Sequence, residues 1–73
     1  MRGFLFEHFR PDASAPDGTR RTRIAAIAPD RKQAMALAGE VLPLVGMRLL
    51  DEGPDALKLA ERAGVQPGEA RII

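Results

Sequence analysis

The chain contains no cysteine, no tryptophan and no tyrosine, and only three aromatic residues, Phe4, Phe6 and Phe9. Without cysteine, neither a disulfide nor a thiolate-bound metal can staple so small a domain. Serine occurs once (Ser14), histidine once (His8) and threonine twice, which leaves little for nucleophilic catalysis. His8 and Glu7 are neighbours in an extended stretch, so their side chains leave opposite sides and the carboxylate cannot orient the imidazole. No apolar run approaches the ~20 residues of a membrane span. Glu7, His8 and Arg10 interrupt the apolar opening too early for a signal peptide. A cytoplasmic, non-enzymatic protein without cofactor or metal is therefore expected.

The supply of large apolar residues is also short. Seventy-three residues suit one domain, spanning 1–73, and a chain of this size buries only about 60% of its unfolded surface. Twelve of its apolar residues are alanine. A thin core without staples points to self-association as the remaining source of stability. The net charge of +1 is unevenly spread. Residues 10–32 carry six cations against three anions, and residues 33–73 carry four against six. That asymmetry could attract a polyanion to the first half, or let two copies attract each other.

What is present falls into ordered segments. Residues 3–9 read as a strand with Phe4, Phe6 and His8 on one side and Leu5, Glu7 and Phe9 on the other. Pro11-Asp12 and Pro16-Asp17-Gly18 mark a loop over 10–19, and residues 20–28 form a second strand, giving an antiparallel hairpin. Ala34, Leu37, Ala38, Val41 and Leu42 then recur at helical spacing. Asp30 with Gln33 resembles a capping box, so a helix should run from Arg31 to Leu42.

Met47–Asp51 is a third strand candidate. Pro54 opens a second helix with Ala56, Leu59, Ala60 and Ala63 on one side, and Gly64 ends it with Val65 placed for the cap's apolar contact. Ala70–Ile73 reads as a last short strand. The expected fold is thus α/β (α+β), a small mostly antiparallel sheet in the order β-β-α-β-α-(β), with the helices mainly on one face. The other face would then expose Leu5, Phe9 and Ile27, and a second copy or another protein is expected to cover it through these three residues.

Nucleic acid is the alternative partner. Arg10, Arg20, Arg21 and Arg23 flank the hairpin loop and Arg31 and Lys32 begin the first helix, a set suited to phosphate contacts. Base stacking would need exposed aromatics, and the core has the first claim on the three phenylalanines. Asp51, Glu52 and Asp55 could gather metal-binding carboxylates, but Asp55 is explained by the helix dipole and the other two by solvation of a strand end.

Residues 56–73 add a resemblance. Leu59-Ala60, Ala63-Gly64-Val65, Ala70 and Ile73 fall on the apolar, small and glycine positions of the helix-turn-helix pattern of bacterial transcription regulators. The resemblance implies a recognition helix over 66–73, with Gln66, Glu69 and Arg71 toward the groove.

Overall fold

A long hairpin forms the spine of the molecule. The computed structural model describes residues 1–73. Strand β1 (Arg2–Pro11) pairs antiparallel with β2 (Thr19–Ala28) without interruption, from Arg2 opposite Ala28 to Pro11 opposite Thr19. The loop between them is held by its aspartates. Asp12 accepts hydrogen bonds from the Ser14 amide (3.0 Å) and hydroxyl (2.6 Å), and Asp17 accepts from the Thr19 amide (3.0 Å). Such short side-chain-to-backbone bonds are why Asp favours turns.

Helix α1 (Arg31–Val41) starts where the sequence places it: the Asp30 carboxylate accepts from the Gln33 amide at 2.8 Å. Strand β3 (Met47–Glu52) returns antiparallel to β1, with a bulge where β1 passes from Leu5 to Phe6. Helix α2 (Pro54–Arg62) closes in a Schellman motif. The Val65 amide donates to Ala60 (3.0 Å) and the Gly64 amide to Glu61 (3.1 Å), with Gly64 at φ 82°. Strand β4 (Glu69–Ile72) then pairs antiparallel with β2. The sheet order is β3-β1-β2-β4. The α+β class and the element order are those read from the sequence.

The helices, however, do not share a face. Phe4, Phe6, Ile24, Ala26 and Ala28 pack with Ala34 and Ala38 of α1 on the first face. Ala25 and Ile27, which alternate with them along β2, pack with Ala60 of α2 and with Val65 on the second. Both sides of β2 are apolar here, so both need cover, and the chain supplies it from within. Gly3 makes the second arrangement feasible: a Cβ there would lie 2.0 Å from the Leu57 amide nitrogen, inside the backbone of α2.

The helix-turn-helix reading also fails. Residues 66–69 close a turn, with the Glu69 amide bonded to the Gln66 carbonyl, and Glu69–Ile72 is a strand. The Pro67-Gly68 turn ends any helical continuation, so no recognition helix forms.

Candidate interaction surfaces

Alternation along β1 and β2 sorts the candidate residues between the two faces. Ile27 is only 3% exposed, enclosed by Val65 and α2, and cannot reach a partner. Leu5 is half-buried beside it. Phe9 lies further along the same face and is also half-buried, with the guanidiniums of Arg48 and Arg21 at 4.9 and 5.6 Å from its ring centre. The expected apolar patch of Leu5, Phe9 and Ile27 is thus not one surface. Helix α2 has taken the Ile27 end, and arginines have taken the Phe9 end.

The six expected nucleic-acid residues are likewise divided. Arg10 and Arg20 face each other across the hairpin on the first face. Arg20 binds Asp12 at 2.7 Å. Hydrogen bonds from Ser14 and then from Arg20 lower the Asp12 carboxyl from 3.8 to about 2. Arg21 and Arg23 lie on the second face, Arg21 reaching Asp17 at 3.3 Å. Arg31 and Lys32 sit at the other end of the hairpin. Arg31 is bonded to Glu52, which also holds Arg2 at 2.9 Å. Glu52, which holds Arg31, lies opposite Phe4, whereas Arg10 and Arg20 lie six positions further along β1, about 20 Å away, so no single stripe runs through all six.

Arg48 joins the second face from β3, a member the sequence reading missed. Its neighbours in the chain give no hint of it, because only the β1–β3 pairing brings it beside Glu7. Glu7 is 8% exposed and lies between two arginines, opposite Arg23 on β2 and Arg48 on β3, whose guanidinium is 3.4 Å away. Cross-strand pairs of opposite charge are favourable, and a single carboxylate leaves this row with an excess positive charge.

The two sheet edges differ. β3 carries Arg48, Asp51 and Glu52 beside its bulge, features that discourage pairing with another strand. β4 carries Ile72, 55% exposed, and is followed by Ile73, 42% exposed. On its second face, Arg71 lies 3.7 Å from Glu69.

Catalytic groupings are sparse. His8 is 5% exposed with no hydrogen-bond partner at Nε2, and Ser14 sits in the hairpin loop. No three metal-ligating side chains come together, and Glu52 is engaged by two arginines. No helix is long and apolar enough to cross a membrane. No protein-family model matches the chain, and no curated protein or solved structure shows significant similarity to it.

Proposed function

We propose that the protein is a non-enzymatic interaction domain that works as a homodimer, two copies joined edge to edge through β4. The observation that carries this reading is the self-complementary pattern of that strand. Antiparallel pairing of β4 with a second β4, centred on Ala70, sets Glu69 of one copy opposite Arg71 of the other, twice. A two-fold interface requires this kind of self-complementarity. The exposed Ile72 and Ile73 lie at the ends of the same pairing and lose water when it forms.

An open strand edge bearing isoleucine is a standing hazard for uncontrolled association, whereas β3 is guarded by charge and a bulge. A four-residue strand pair is small beside a standard interface, so a weak, reversible association is expected. The cysteine-free composition suits a reducing compartment, and the cytoplasm is the proposed location.

Sedimentation equilibrium tests the proposal. Wild type is expected to dimerise over the micromolar range. Arg71→Glu sets glutamate against glutamate and should give a monomer, and adding Glu69→Arg should restore the dimer. A wild-type monomer at high micromolar concentration contradicts the reading, as does an Arg71→Glu variant that dimerises unchanged.

A further inference from the structure

We infer that the open half of the second face is a platform for single-stranded nucleic acid, built from Phe9, Arg21, Arg23, Arg48 and Glu7. The inference stands on different residues from the β4 dimer and does not depend on it. Two observations carry it. Phe9 is absent from both core clusters and remains half-buried on this face. The core's claim on the phenylalanines, which argued against base stacking, therefore holds only for Phe4 and Phe6. Arg48 also arrives from β3, so three arginines share one face of a strip three strands wide, about 10 Å across.

Each part has a chemical role. Arginine stacks its planar guanidinium on aromatic faces and holds phosphate oxygens in a fork, both of which a nucleotide strand offers. Two guanidiniums already lie over the Phe9 ring, so a base can stack on the outer plane or displace one of them onto a phosphate. Glu7 sits beneath as an anchor: its buried carboxylate lies 3.4 Å from the Arg48 guanidinium, and Arg23 is its register partner on β2. Asp17 takes part of Arg21's charge at 3.3 Å. Single strands fit better than a duplex. A hairpin entering a groove would lead with Asp12 and Asp17, which repel phosphate, whereas an extended strand can lie across the sheet away from the tip.

The test is fluorescence anisotropy of a labelled twelve-nucleotide oligo-dT with the full chain. Three phosphate contacts predict affinity falling about 20-fold between 50 and 200 mM salt. Arg48→Ala and Arg23→Ala should each weaken binding and each reduce the salt slope by about 0.7. Arg48→Lys should keep the slope while losing affinity through lost stacking, and Arg10→Ala, on the first face, should change nothing. Circular dichroism melts confirm that the variants are folded, and the Arg71→Glu monomer should still bind. No binding at 50 mM salt overturns the inference. So does equal weakening by Arg10→Ala, or an acidic twelve-residue peptide that competes as well as unlabelled oligo-dT.

Discussion

The two faces of the sheet solve the same burial problem with different materials. On the first, the sheet contributes bulk (Phe4, Phe6 and Ile24) and α1 contributes small residues, Ala34 and Ala38. On the second, both partners are mostly small: Gly3 and Ala25 below, Ala56 and Ala60 above, with Ile27, Val65 and Leu57 as the larger groups. Buried apolar area sets the stabilisation, so the first face holds the domain together and the second adds a lighter cover. The lighter cover is also incomplete. It stops short of Phe9 and leaves Arg21, Arg23 and Arg48 exposed.

The second-face cover is most sensitive at Gly3. A valine there drives its side chain into the Leu57 backbone, which has no flexible atom to yield. Gly3→Val should cost about 3 kcal/mol or more, and chemical denaturation would register it as a lower midpoint. Gly3→Val melting like wild type would show that α2 does not rest on β1. Leu37 sharpens the first-face side of the contrast. It is half-buried against the first-face cluster, not enclosed. Leu37→Ala should therefore cost about 1–2 kcal/mol, below the range for a fully buried leucine.

Smaller effects lie at the ends of elements. Asp30→Ala removes the acceptor for the Gln33 amide and should lower stability by about 1 kcal/mol, seen as a small drop in thermal midpoint. The hairpin tip has a pH signature. The Asp12 carboxyl is lowered in the folded state, so what it contributes is present above its ordinary value of 3.8. That contribution is lost as pH falls toward about 2. Carbon-detected NMR titration should find Asp12 still ionised at pH 3, and Arg20→Ala should raise its midpoint.

Local chemistry was legible in the sequence, and long-range pairing was not. Asp30, Pro54 and Gly64 announced the helix ends because caps depend on a few adjacent residues. The Pro67-Gly68 turn was equally visible and outweighs the helix-turn-helix resemblance once β4 is seen beside β2. The side chosen by α2 was harder to read, since an apolar stripe on a helix does not say which face of a two-sided sheet it meets. One signal was available: a glycine inside a strand often marks close approach of another backbone, and Gly3 is such a residue. Arg48 had no comparable mark, because its place beside Phe9 and Glu7 follows from strand pairing across about 40 residues of chain.

The cover over Ile27 can be probed directly, because the native chain has no thiol. Ile27→Cys introduces one beneath α2, and Leu50→Cys places a reference thiol on the exposed part of β3. With α2 seated on the second face, the Ile27→Cys thiol should react with a maleimide only as fast as the helix opens, far more slowly than the reference. Dilution should not change that protection. Reaction as fast as the reference, or protection that disappears on dilution, would mean that the second face is open in the single chain and is covered by another copy.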